Sequence, residues 1–404
     1  MKKALRRILI ALAGIAAALL LLAAVSAAIY GPEYMLRVLV NGESKVMDYM
    51  FFPERVIAKS KTPYQYAYGI DDSLGSLQVT YEVEAGKTKT SPVGEAALSN
   101  DTTSLIVIKN DTVVFEQYYN GSARNSVNTS FSSVKSIDSL LIGLAIQDGY
   151  IKSVEQHVSD FIPEWEDTPF ASITIEDLLL MRSPISYREG LAWFTDDAKT
   201  YYMTDLRNLA LNKTSIDESY HGQFHYNNYH PLLLGIILQR STGQTVAGYF
   251  GERIWAKIGA EYDASWSLDS QETKFEKMES GLNFRSIDFA KIGSMLLHQG
   301  TFNGQDVMSA GWIEKSAIAT APLAPNDSDS AYLADRNVGY QYMWYSMENS
   351  CGGHDFFAAG KYGQYLYMSP ENSVVIVRTG TDTGSVVFWP EIFRQVAEYA
   401  GGRP

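Results

Sequence analysis

A single cysteine, Cys351, stands among 404 residues. No intramolecular disulfide can therefore form, and no cysteine cluster can hold a metal. No cysteine follows the apolar N-terminal run, so a lipid-modified N-terminus lacks its attachment point. Cys351 reads as a small, partly buried hydrophobe. His354 follows it at metal-like spacing, but two ligands without partners do not define a site. The six histidines are scattered and His-Glu-x-x-His does not occur, which leaves zinc hydrolysis without its motif. Gly-x-Ser-x-Gly is also missing, which sets aside an α/β-hydrolase elbow. Basic excess is absent as well. Lysine and arginine total 33 against 46 acidic residues, for a net charge of -13 and a pI near 5.0. Such a chain lacks the basic face of a nucleic-acid binder. There is no internal repeat and no low-complexity tract.

The rest is ordinary globular composition, 46% hydrophobic and 20% charged. The length fits one large domain with accessories, or two domains. Lys2, Lys3, Arg6 and Arg7 precede an uncharged run from Ile8 to Tyr30, and its 23 residues exceed the roughly 20 that span a bilayer as a helix. The length of the run favours an uncleaved anchor over a signal peptide cut near "VSAA" (25–28). An anchor makes the protein single-pass in the cell inner membrane; cleavage would release it to the periplasm. In both readings the positive residues stay inside and the chain after residue 30 is exported. Residues 1–30 are thus the anchor or signal, 31–94 a juxtamembrane extension and linker, and 95–404 the main domain. Pro32, Pro53, Pro63 and Pro92 interrupt the extension, and "KTKTSPVGEA" from Lys87 reads as the linker.

The main domain begins with "SLIVIKNDTVVFEQYY", two β-branched runs flanking Asn110-Asp111, a hairpin signal. Val134, Ile137, Leu141, Leu144 and Ala145 then recur at helical spacing. "ITIEDLLLM" opens on a capping box of Thr174 and Asp177. "NYHPLLLGIILQRSTG" and "SIDFAKIGSMLLHQG" read as helices ending in glycine. Strand patterns return in "YQYMWYS", "QYLYMSP" and "SVVIVRTG", and "EIFRQVAEYA" reads as a last helix. Joining the front hairpin to the rear strands gives an α+β fold: one antiparallel sheet flanked by helices, with a mostly helical lobe to one side.

Chemistry concentrates in three stretches. In "FSSVKSID" (131–138), Ser132 and Lys135 are i and i+3 on a helix and share a face. A serine hydroxyl is a weak nucleophile until a base takes its proton. A lysine serves as that base only in its neutral form, which burial and a second nearby cation both favour. The helix N-terminus adds backbone N–H groups that stabilise developing negative charge. Ser-x-x-Lys occurs once in the chain. It is short, and taken alone an N-cap serine with a solvated lysine explains it. In "FHYNNYHPLLLG", Tyr226 and Asn228 precede a helix; they equally suit a surface aromatic and an N-cap. In "FFAAGKYGQYLYMSP", Gly363 permits close backbone approach and Lys361 offers a second cation, or the pair is a strand edge and a turn. His225 reads as a neighbour that packs locally. "LAWFTDDAKTYYM" reads as pocket lining or core.

Together and in this order, "SSVK", "YNN" and "KYG" resemble the Ser-x-x-Lys, Tyr-x-Asn and Lys/His-x-Gly motifs of the serine β-lactamase and penicillin-binding-protein superfamily. The nearest branch is that of class C β-lactamases, D-aminopeptidase-like esterases and 6-aminohexanoate-dimer hydrolases. "ITIEDLLLMRSPIS" and "AAGKYGQYLYMSPENSVVIV" are similar to further family segments, and the resemblance spans about residues 95–402. It implies a β-lactamase/transpeptidase-like fold and a serine hydrolase using no cofactor or metal. Ser132 would form the acyl-enzyme, with Lys135 and Tyr226 managing its proton. Lys361 would act on both electrostatically, and Asn228 would position Lys135 and substrate. The backbone N–H groups of Ser132 and Gln364 would form the oxyanion hole, and Tyr362 and Gly363 would meet substrate. Two departures stand out. Ser183-Pro184 replaces the family's Ser-Gly, and Tyr362 is bulky where β-lactamases carry a small hydroxyl residue.

The resemblance implies a partner that is a small ester, amide or peptide substrate, with the membrane met through residues 8–30. The alternative is a catalytically silent module of the same fold that binds or senses cell wall. Joint retention of Ser132, Lys135, Tyr226, Asn228 and Lys361 favours activity.

Overall fold

The computed structural model describes residues 2–190, 192–317, 319, 323–324 and 328–402. Seven helices matter for the site: α1 (Lys2–Tyr30), α2 (Pro32–Asn41), α3 (Val134–Gln147), α4 (Asp196–Tyr202), α5 (Tyr229–Thr242), α6 (Ser286–Leu297) and α7 (Trp389–Ala400). The central sheet contains β1 (Ala67–Tyr68), β2 (Thr102–Lys109), β3 (Thr112–Tyr118), β4 (Val338–Gln341), β5 (Trp344–Glu348), β6 (His354–Gly360), β7 (Gln364–Ser369) and β8 (Val374–Gly380). Their spatial order is β4-β5-β6-β7-β8-β2-β3-β1, antiparallel throughout except for β1 on β3. Front hairpin and rear strands meet where β8 pairs with β2, Ile376 opposite Val107.

Local sequence explains the framework. Asn110 (φ 46°) and Asp111 (φ 55°) both take the left-handed conformation that a two-residue hairpin turn demands. The period-2 alternation of β2 divides the core. Ile106 and Ile108 face α3 and the helical lobe, while Leu105 and Val107 face Ile392, Phe393 and Val396 of α7. Helix α6 lies on the first of these faces. It approaches so closely that a Cβ at Gly293 would sit 2.5 Å from Val375. Thr174 and Asp177 form the expected capping box, and Gly243 ends α5 in the left-handed conformation.

Three segments differ from expectation. "YQYMWYS" is a hairpin, because Tyr342 and Met343 have positive φ and turn the chain between β4 and β5. The stretch from Lys87, read as a linker, is a strand (Lys87–Pro92) paired with Gln78–Glu84. It runs into a helix, Val93–Ser99, that buries Val93, Ala96 and Ala97. Cys351 is exposed, since it lies in the turn between β5 and β6 rather than in a core-facing position.

The segment after α1 packs on the main domain. Tyr34 and Met35 of α2 cluster with Phe52 and with Tyr202 of α4. Arg37 is buried beneath them and donates to the carbonyl oxygens of Asp269 (2.7 Å) and Tyr202 (3.3 Å). A buried guanidinium costs free energy unless its donors are satisfied, so these bonds fix α2 to α4.

Candidate active site

Ser132 lies in a tight 3₁₀ turn, Phe131–Ser133, that feeds α3. Phe131 has φ 44°, a left-handed conformation rare for an aromatic residue, so the turn is strained next to the serine. The turn is tied down on its far side, where Ser130 donates its N–H to the Leu282 carbonyl (2.8 Å) and Ser133 Oγ donates to the Ser130 carbonyl (2.8 Å). Lys135 follows one helical turn later and is buried. Its Nζ donates to Ser132 Oγ at 2.9 Å and to the Glu279 carbonyl at 3.0 Å. The same Nζ lies 4.9 Å from the centre of the Tyr226 ring. Three of the expected residues, Ser132, Lys135 and Tyr226, therefore converge.

The other expectations are met differently. The Asn228 amide donates to the Tyr187 hydroxyl (2.7 Å) rather than holding Lys135, and its Oδ1 is buried at the edge of the cleft without a partner among the described residues. The neighbouring Asn227 takes the structural duty. It donates to the Ile185 carbonyl and accepts from the Tyr229 N–H, each at 2.8 Å. Lys361 does not reach Lys135. Its ammonium is at the rim, bonded to Glu43 Oε1 (2.7 Å) and Ser44 Oγ (3.1 Å). Tyr362 donates its hydroxyl to the Ser44 carbonyl (2.6 Å) and packs edge-on against Phe131. Gly363 faces Arg378, where an added Cβ would lie 1.9 Å from Nη1. The Gln364 side chain braces the hairpin by donating to the Gly380 carbonyl (2.7 Å).

The glycine that meets the serine is Gly360, at the end of β6. A Cβ there would sit 2.3 Å from the Ser130 carbonyl oxygen, 3.0 Å from the Ser133 nitrogen and 3.2 Å from the Ser132 nitrogen. Only a bare backbone fits. The first N–H past this contact belongs to Lys361.

Three further residues escape the motif reading. Glu279 and Lys277 form a buried ion pair (2.8 Å) on the cleft floor, and Lys277 also donates to the Tyr201 carbonyl (2.7 Å). Burial pulls the Lys277 pKa down while Glu279 opposes it. Glu279 Oε2 is buried without a hydrogen-bond partner among the described residues. Asp138, three residues past Lys135, is fully buried, and neither carboxylate oxygen has a hydrogen-bond partner among the described residues. Burial drives its pKa well up, against the opposing pull of Lys135. Tyr201 and Tyr202 of the aromatic stretch do line the cleft, whereas His225 stacks on Tyr220 with centroids 4.0 Å apart.

The cleft has a roof. Val38 from α2 and the following Gly42, Glu43 and Ser44 lie over Ser132, leaving a cavity of about 310 Å³. This strap is fastened on one side through Arg37 and through Asp48, which accepts from the Tyr201 hydroxyl (3.1 Å). On the other side it is held by Lys361 and Tyr362.

A serine on a helix-leading turn, bonded to a buried lysine and abutted by a bare strand end, is the apparatus of a Ser-x-x-Lys serine hydrolase. The comparisons agree. The Beta-lactamase family model matches residues 96–401, and the chain belongs to that family. The 6-aminohexanoate-dimer hydrolase of Paenarthrobacter ureafaciens is 26% identical over 309 residues, covering 72% of this chain and 73% of the relative. A solved Bacillus anthracis structure described as a candidate 6-aminohexanoate-dimer hydrolase superposes with a TM-score of 0.75 at 22% identity, covering 89% of this chain and 94% of its own. The octameric penicillin-binding-protein homologue of Pyrococcus abyssi gives a TM-score of 0.60 at 18% identity, covering 77% and 75%. These likenesses carry the fold across.

Proposed function

We propose that the protein is an exported, membrane-anchored serine hydrolase that cleaves a small ester or amide through an acyl-enzyme on Ser132. The observation that carries this reading is the 2.9 Å bond between Lys135 Nζ and Ser132 Oγ on the floor of the cleft. The Ser132 oxygen attacks the substrate carbonyl carbon, and its proton passes to the Lys135 amine beside the Tyr226 phenol. The tetrahedral oxygen is held by two backbone N–H groups, those of Ser132 and Lys361, because the end of β6 at Gly360 abuts the nucleophile turn. Gln364 is three residues further on and is replaced by Lys361 in this role. The proton returns to the leaving group, and water then attacks the acyl-enzyme by the same base. The roofed cavity of about 310 Å³ favours a small linear substrate, in keeping with the 6-aminohexanoate dimer in the name of the Paenarthrobacter relative.

Among the described residues, Ala4–Tyr30 is long and apolar enough to cross a membrane. The basic residues before it support an inside N-terminus and an exported domain. Hydrolysis of p-nitrophenyl acetate, butyrate and hexanoate and of a linear aminoacyl amide tests the reading in wild type and Ser132→Ala. Turnover by wild type alone is expected. Equal turnover by Ser132→Ala, or none by either, overturns it.

A further inference from the structure

Helix α2 is apolar on two sides, and only one of them is covered. Tyr34 and Met35 face the domain. Leu36, Leu39 and Val40 face outward with 62%, 70% and 69% of their surface exposed. Their i, i+3, i+4 spacing makes one stripe. Met47, Met50 and Phe51, also exposed, follow within the same segment. Isolated surface hydrophobes need no explanation, but six within sixteen residues mark a surface that another phase or partner meets.

The chain itself indicates which. The α2 helix follows the apolar α1 after a single residue, Gly31, whose φ of 95° turns the chain. The end of α1 is seated on the domain, where Ser26 is buried and Tyr30 packs against Tyr34 at 6.0 Å. Around Tyr30 lies a depression holding Arg188, Lys213 and the Asp196–Lys199 ion pair together with the exposed Phe194. Aromatic side chains at the mouth of an apolar helix are the composition of a headgroup boundary on either side of a membrane. A helix lying flat, with aliphatic residues down, suits that boundary.

We propose that the outward face of α2, extended by Met47, Met50 and Phe51, rests in the surface of a phospholipid bilayer. This inference rests on α1 being an uncleaved anchor. It brings the cleft to the headgroup level, because Val38 of the same helix and Gly42–Ser44 after it form the roof over Ser132. The substrate class it selects is an ester or amide that partitions to the membrane surface.

Site-specific fluorescence in vesicles tests it. An environment-sensitive label is placed on the full-length chain in three preparations. One uses Leu39→Cys and one uses Leu20→Cys, each with Cys351→Ser, and the third uses native Cys351. Cys351 lies beyond the start of β6, at the opposite end of that strand from Gly360. Vesicles of phosphatidylethanolamine and phosphatidylglycerol carry doxyl quenchers both at the acyl–headgroup boundary and deep in the acyl chains. The account expects the labels at 20 and 39 to shift to the blue and lose most of their emission, and the label at 351 to do neither. Quenching at 20 without quenching at 39 leaves the anchor intact and overturns the docking. Quenching at neither overturns both. A label at 39 that shifts to the blue without being quenched is covered by protein, such as a second copy, and that also overturns the docking.

Discussion

Replacing Gly360 with alanine adds one methyl at the contact on which the proposed oxyanion site depends. The glycine is not in the left-handed region, so alanine meets no backbone penalty of its own and the methyl is the whole perturbation. That methyl would sit 2.3 Å from the Ser130 carbonyl oxygen and 3.0 Å from the Ser133 nitrogen. Both atoms are backbone, and the turn that carries them is pinned to Leu282 and to its own Ser133 hydroxyl. The end of β6 must therefore retreat by roughly an ångström, at the ~1–3 kcal/mol typical of overpacking. The retreat carries the Lys361 N–H away from Ser132. Loss of one oxyanion donor typically costs about 10²–10³ in rate. Gly360→Ala should therefore lower kcat/KM for p-nitrophenyl butyrate by about that factor, with a fall of only a few degrees in Tm. A variant that unfolds a few degrees early yet keeps kcat/KM within roughly threefold of wild type would refute the assignment of this strand end to the oxyanion site.

Three other perturbations follow from the same geometry. Lys135→Met keeps the buried volume and removes the amine; fluorophosphonate acylation of Ser132 should slow by about 10²–10⁴ while urea stability holds or rises. Glu43→Gln breaks the exposed contact to Lys361, a pair expected to contribute under ~1 kcal/mol. Tm should hold, whereas turnover of hexanoate relative to acetate should rise as the roof loosens; unchanged selectivity would show that residues 42–44 do not gate the cleft. His230 bonds Ser183 Oγ at 2.6 Å inside the fold, and burial pulls its pKa down to about 3. The unfolded chain takes up that proton near pH 6.5 and the folded one does not, so stability is complete above this pH and falls as the solution is acidified. From pH 6.5 to 5 the loss should be about 2 kcal/mol by urea unfolding, and largely absent in His230→Gln.

The sequence carried the local parts of this account. The Asn110-Asp111 turn, the Thr174–Asp177 box and the Ser132–Lys135 face are each set within a few residues, where propensity and spacing speak directly. Parts that depend on distant packing were silent. Nothing near "FFAAGKYGQ" distinguishes Gly360 from Gly363; the choice is made by Ser130 and Ser133, more than 200 residues upstream. Lys361 fits a motif, yet its charge is directed to Glu43, a residue of the juxtamembrane segment. Glu279 and Lys277 lie in "FEKMESG", which has no catalytic spacing, and they join the site because the strand Leu282–Phe284 delivers them beside Lys135. The roof was unreadable for the same reason. Most of its residues are small or polar, and the burial of Arg37 and Tyr34, with the contacts of Asp48, Lys361 and Tyr362, holds them over the cleft.

The most direct test of the central claim is intact-protein mass spectrometry of the full-length chain after exposure to a fluorophosphonate, with peptide mapping of the adduct. The account predicts a single adduct on Ser132, lost in Ser132→Ala and strongly slowed in Lys135→Met. An unmodified wild-type protein, or an adduct that maps elsewhere and persists in Ser132→Ala, would contradict it.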